Sequence, residues 1–231
     1  MRRRLARPDL PRLGPRLLAL EEEWRGRRLD SDPLAFPHRY ADPRDRETVA
    51  FLAASLAFGR VASIRASLER ALATLGPRPA SRLAEGVGPL RDLDGFVHRW
   101  VDSGSLRALL RAVGATMRSE GSLAGLFAAG DGGGPDYVPA LDRFFAVLRN
   151  RTELPASRLP RGVRFLLPSP GDGSACKRAH LFLRWTIRSG DLDLGLWRGG
   201  SFSPARLLLP MDTHVHRISR YLGLTARPTA D

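Results

Sequence analysis

Only one lysine, Lys177, occurs among 231 residues, although the chain carries 37 basic side chains. The remaining 36 are arginine. Arginine replaces lysine wherever a site needs positive charge on a long stem. It fails where a site needs a primary amine that sheds its proton and attacks carbon, because guanidinium stays protonated and is a poor nucleophile. A chain nearly without lysine that keeps one marks that amine as a candidate nucleophile. A leftover under strong arginine bias is the plainer account, and the surrounding residues decide between them.

Cysteine is equally scarce. With Cys176 alone, an internal disulfide and any all-cysteine metal site within the chain are excluded. The four cysteines of an iron–sulfur cluster would have to include ligands beyond Asp231. Histidine offers no substitute: of five, His214 and His216 stand two apart, which on a helix points them to different sides. No metal and no cofactor are expected. Long apolar runs are also missing, the longest being broken by Arg or Gly, so no membrane helix is expected. Met1-Arg2-Arg3-Arg4-Leu5 has the charge of a signal peptide's front without the apolar stretch behind it. The expectation is a cytoplasmic monomer.

What the chain has in excess is positive charge. The formal net charge is +13 against only 24 acids, with an isoelectric point near 11.4. Preferring Arg to Lys does not create such an excess. A polyanionic partner is implied, with duplex DNA the first choice through phosphate contacts and counterion release.

The periodicity is helical nearly throughout, and no stretch alternates for long enough to make a sheet. Leu13, Leu17, Leu20 and Trp24 mark a first helix closing near Gly26. A loop over 32–40 contains two prolines, and Asp42 or Asp45 can cap the next helix, whose face carries Val49, Leu52, Ala53 and Leu56. Gly59 breaks it. Ile64, Leu68, Leu72 and Leu75 mark another, ending at Gly76-Pro77. Helices are predicted over Leu93–Val101, Leu106–Met117, 136–149 and Ala175–Arg188, the last with Phe182 and Trp185 in the core. A glycine-rich loop fills 130–135, and 150–173 and 189–210 read as irregular. A final helix starts after Asp212, with Val215, Ile218 and Leu222 as its buried stripe. Residues 225–231 read as a loop and the cap of a further helix, so the chain is expected to be a truncated piece of something longer.

Pro210-Met211-Asp212-Thr213-His214-Val215-His216-Arg217-Ile218 is the most specific segment. It resembles the Val-Asp-Thr-His-Val-x-Arg segment of the helix-hairpin-helix DNA glycosylases. The resemblance makes Asp212 catalytic as well as a helix cap. Bifunctional members place a lysine upstream, behind a Leu-Pro-Gly-Val-Gly turn. Here Pro170-Gly171-Asp172-Gly173 matches the turn, with Asp172 in place of the apolar residue, and Lys177 lies 35 residues before Asp212. That long spacing is similar to the archaeal 8-oxoguanine glycosylases of the superfamily. In strict register Ala175 would hold the lysine's place, about 200° around a helix from Lys177. Phe36-Pro37-His38-Arg39-Tyr40, the 53–61 block, Cys176-Lys177-Arg178 and Phe182-Leu183-Arg184-Trp185 also resemble an uncharacterised bacterial family, domain of unknown function 2400, from about residue 30 onward.

The resemblance implies an all-α, two-lobed glycosylase-like fold. One lobe is the central run 45–188, including the hairpin-like segment 168–188. The other pairs residues 1–44 with 189–231. It implies excision of a damaged base from lesion-containing DNA, with strand cleavage through a lysine Schiff base. Lys177 and Asp212 are the expected catalytic residues. Arg60, Gly171, Gly173, Arg178, His214 and Arg217 are the expected DNA contacts: the glycines through backbone N–H groups on a phosphate, Arg60 from a DNA-probing loop, and His214 alternatively as a packing or capping partner beside Asp212. The rivals are a non-catalytic DNA-binding protein of the same fold and an RNA-associated basic protein. No motif marks a base-contacting residue.

Overall fold

The computed structural model describes residues 9–24, 29, 32–86, 88, 90–198 and 202–230. Helices dominate, as the periodicity requires. In chain order they are α1 (Leu10–Trp24), α2 (Pro43–Leu56), α3 (Val61–Leu75), α4 (Pro79–Ala84), α5 (Ser103–Glu120), α6 (Leu123–Gly130), α7 (Val138–Asn150), α8 (Arg161–Leu166), α9 (Lys177–Ile187) and α10 (Thr213–Tyr221). One antiparallel hairpin, β1 (Val97–His98) with β2 (Val101–Asp102), stands where a helix was predicted over Leu93–Val101. Strands of two residues carry no period-two signal, so the apolar spacing there read as helical.

The core is built around α2. Its predicted apolar face is instead burial on all sides: Asp45 and every residue from Glu47 to Leu56 are buried. It packs on α9, α3, α4 and the turns before it, as a helix without a polar face must. The capping question resolves by distance. Asp42 accepts the Arg44 N–H at 2.7 Å and caps α2, while Asp45 reaches away to the Ala80 N–H at 2.8 Å and ties down α4. The proline loop is two short 3-10 turns, Pro33–Ala35 and Pro37–Arg39. They deliver Leu34 and Phe36 into the core.

Glu47 is a buried acid in this apolar helix, and each of its contacts is a hydrogen bond to a donor elsewhere. It accepts from the Leu123 N–H at 2.8 Å, the Ala124 N–H at 2.9 Å and Trp197 Nε1 at 2.7 Å. One carboxylate thus joins α2 to the start of α6 and to the segment after α9. Burial pushes its proton affinity up, and the three N–H donors act against that.

Gly162 sets how close α8 approaches. A methyl group there would overlap Ser105 Oγ and lie 3.3 Å from the Trp100 carbonyl. Only glycine lets α8 sit this tightly on β2 and α5, which fixes Arg161 and Arg164 relative to Trp100.

The two ends of the chain depart from expectation. Leu17, Leu18, Leu20 and Trp24 of α1 are exposed. Gly26, expected to close that helix, lies outside the described residues. In α10 the buried positions are His216 and Ser219, whereas Ile218 is 57% exposed and Val215 and Leu222 are half-buried. Moving one position along a helix rotates the inward face by about 100°, and the His216 Nε2 to Arg227 carbonyl bond at 3.0 Å holds the rotated face. Among the described residues, no extensive packing joins α1 to α10.

Candidate functional site

The turn ahead of α9 is fastened by two residues of α7. Asp142 and Arg149 are seven apart, two helical turns, and so share a face. Asp142 accepts from Ser169 Oγ and, at 2.9 Å, from the Gly171 N–H. These bonds, Ser169's above all, hold the Asp142 carboxyl below its usual range. Arg149 donates to the Leu167 carbonyl at 2.9 Å and to Asp172 Oδ2 at 2.6 Å. The aspartate that replaces an apolar residue in the turn is therefore a tether to α7. Gly173, at φ +76°, donates its N–H to the Pro170 carbonyl at 2.9 Å. The N–H groups of Gly171 and Gly173, expected to face a phosphate, are both bonded within the chain. That expectation is corrected: the 3-10 turn Pro170–Asp172 closes on itself and on Asp142.

Ser174, Ala175 and Cys176 are not helical. Cys176, at φ +45°, turns the chain into α9, whose first residue is Lys177. The helix starts two residues later than predicted. The rotation of about 200° does not apply, since no helix joins Ala175 to Lys177, although Lys177 still stands two residues beyond the register position.

A cavity of about 1020 Å³ opens in front of this turn. Lys177 and Asp212 both line it. Lys177 is half-buried at the first position of α9, and Asp212 is exposed as the N-cap of α10, its carboxylate accepting the Val215 N–H at 2.7 Å. Arg161 and Arg164 add positive charge to the walls, where Arg149 is paired with Asp172, and Phe58 and Phe165 add aromatic surface. The cavity therefore brings a lysine amine, a carboxylate and guanidinium groups, the last of a kind that suits phosphate, onto one surface.

The other expected residues divide. Arg178 lines the cavity, but its guanidinium donates to the carbonyls of Ser55 and Phe165. It also stacks 3.9 Å from the Phe165 ring centre and 5.2 Å from that of Phe58. Burial pulls it down to about 10. Its work is to join α9, α2 and α8, a packing role in place of the expected DNA contact. Arg60 is the exposed N-cap of α3. The neighbouring Gly59, at φ +99°, packs against the Arg99 side chain. His214 and Arg217 are exposed on α10. The packing part offered to His214 belongs to His216. None of Arg60, His214 and Arg217 lines the cavity.

Sequence reasoning missed the cavity's other wall. Arg161 and Arg164 sit in the 150–173 segment that read as irregular. Their i, i+3 spacing behind Pro160 was the available signal for a short helix with one basic face. Phe58, Trp100 and Phe165 meet in pairs, with ring centres 5.3, 4.6 and 4.9 Å apart. Nothing local could have joined residues so far apart in sequence.

His98 pins this wall. Its Nε2 donates to the Phe58 carbonyl at 3.0 Å, and Ser67 Oγ lies 2.9 Å from Nδ1. The tautomer follows: with Nε2 protonated, Nδ1 accepts the hydroxyl. Burial, the largest cause, lowers the His98 pKa from the ordinary 6.5. In the folded state the ring stays neutral at a pH where the unfolded ring takes a proton. Stability should thus be present above 6.5 and decline as pH falls through and below it. Urea midpoints measured at neutral and mildly acidic pH should differ more for the native chain than for His98→Gln.

The family model described as "Protein of unknown function (DUF2400)" matches residues 32–231. The chain belongs to this family. No curated protein and no solved structure matched the chain. Every residue lining the cavity lies within the span matched to DUF2400, whereas α1 precedes it. Among the described residues, no group of three or more His, Cys, Asp and Glu side chains could hold a metal, and no helix is long and apolar enough to cross a membrane.

Proposed function

We propose that this DUF2400 chain is a DNA base-excision enzyme of the helix-hairpin-helix glycosylase kind, with Lys177 as nucleophile and Asp212 as proton acceptor. The observation that carries the reading is that the chain's one lysine and the Asp212 cap line the same arginine-lined cavity. The Lys177 amine lone pair attacks C1′ of an extruded nucleoside. The bond from C1′ to the base breaks, and the base leaves with the bonding electrons. Asp212 takes the proton released by the amine and passes it to the departing base. Opening of the sugar ring gives a Schiff base. Loss of a proton from C2′ then expels the 3′ phosphate and cuts the strand. Extrusion is what brings C1′ within reach, since the amine cannot approach it inside a stacked duplex.

Borohydride trapping on a panel of lesion-bearing duplexes tests the reading, since the reductant fixes a Schiff base as a stable amine. A covalent adduct mapped to Lys177 supports it. The absence of both adduct and released base on every lesion leaves the DNA-binding protein without catalysis. The electrostatic part is tested separately. With several phosphates neutralised, raising salt from about 50 to about 200 mM should weaken duplex binding by on the order of a thousandfold. A flat salt response would remove nucleic acid as the partner.

A further inference from the structure

Beside the Lys177 wall lies a feature the chemistry above does not use. Trp100, in the turn between β1 and β2, is 39% exposed. It is the outer member of the aromatic trio with Phe58 and Phe165, and both of those rings line the cavity. The guanidinium carbons of Arg99 and Arg161 stand 5.1 and 5.5 Å from its ring centre, and Arg161 also lines the cavity.

The platform is rigid from behind. Arg178 is stacked under Phe165 and Phe58 and bonded to carbonyls on both sides. His98 holds the Phe58 backbone, and the close approach of Gly162 to the Trp100 carbonyl fixes α8 against the turn. Trp100 is 39% exposed under two guanidinium groups while its aromatic partners are locked, and a flat group can stack there as those side chains swing onto its phosphates. The chemistry of that group is set by the neighbours: a flat π system attached to negative charge, which is a nucleotide.

We propose that Trp100, flanked by Arg99 and Arg161, is a stacking position for an unpaired base of single-stranded DNA that continues out of the Lys177 cavity. The proposal rests on the nucleic-acid reading of that cavity. It adds that the strand is unpaired there, because a base can lie on Trp100 only when its own partner is gone. Stacking on an aromatic side chain is tolerant of base identity, and truncating such a side chain costs about tenfold or more in affinity. The arginines bind the adjoining phosphates, so the site separates into a base-dependent part and a charge-dependent part.

The test uses the full chain with Trp24→Phe. Trp185 and Trp197 are buried, which leaves Trp100 as the exposed reporter among the four tryptophans. A short oligothymidylate should quench Trp100 emission. Trp100→Ala should lower affinity for that oligonucleotide about tenfold, while affinity for inorganic polyphosphate, which has charge and no bases, stays unchanged. Trp100→Phe, which keeps a ring, should retain most of the oligonucleotide affinity and controls for folding. Equal oligonucleotide affinity in Trp100→Ala and the parent overturns the proposal, as does an equal loss for polyphosphate. A protein that traps covalently at Lys177 yet ignores Trp100→Ala loses the stacking site and keeps the catalytic reading. Stacking without trapping does the reverse. No oligothymidylate binding at all overturns the stacking site, and loss of duplex binding as well overturns both.

Discussion

Lys177→Arg is expected to abolish borohydride-trapped adduct while leaving DNA affinity within about twofold of the parent. The substitution keeps the positive charge and the long stem at the first position of α9 and removes the nucleophile, because guanidinium does not lose its proton to attack carbon. Phosphate attraction depends on charge and so survives. Strand cleavage should fall to the uncatalysed level, a loss of several orders of magnitude. Adduct persisting in Lys177→Arg would move the chemistry to another amine, such as the N-terminus. The companion change, Asp212→Asn, keeps a side chain that caps helices as well as aspartate does. The bond to the Val215 N–H can therefore remain, and slower base release would report loss of the carboxylate's proton chemistry alone. Unchanged base release would reduce Asp212 to a cap.

Glu47→Ala is expected to be the most destabilising single change, at about 3–5 kcal/mol. It strands three donors, the Leu123 and Ala124 N–H groups and Trp197 Nε1, in a site where Glu47 itself is 4% exposed. Each unsatisfied buried donor costs about 1–3 kcal/mol, and the lost packing adds to it. Glu47→Gln should lie between, since its carbonyl oxygen satisfies part of the set while its NH₂ confronts the remainder. Urea denaturation checks the order. A loss below about 1 kcal/mol in Glu47→Ala would mean that water reaches these donors. The cavity lies on other residues, so a folded Glu47→Gln protein should keep its DNA affinity.

How much of this was legible in the sequence differs from element to element. Asp212 as the cap of α10 followed from its place before Thr213 and the helical pattern behind it, because capping is decided within four residues. The apolar spacings of α3 and α5 predicted those helices for the same local reason. Lys177 stood out by composition alone. The α2 helix was legible as a helix, but not as one buried on all sides, since that depends on α9, α4 and the proline turns closing over it. The hairpin Val97–Asp102 was misread because two-residue strands leave no period. The turn Pro170–Gly173 matched a phosphate-binding pattern in letters, whereas Asp142, on a distant helix, takes the Gly171 N–H and the turn itself takes that of Gly173.

By itself, then, the sequence determined a helical chain, its strong positive charge, its one lysine, and an aspartate placed to cap the last helix. Each of these is set by composition or by residues within a turn or two of one another. The tertiary structure alone decided that Lys177 and Asp212 share a cavity wall, that Arg178 is committed to packing while Arg161 and Arg164 are the cationic lining, and that Phe58, Trp100 and Phe165 form one aromatic surface. Those outcomes depend on groups brought together from distant parts of the chain. Burial and competition among many donors and acceptors settle them, and no local pattern records that competition.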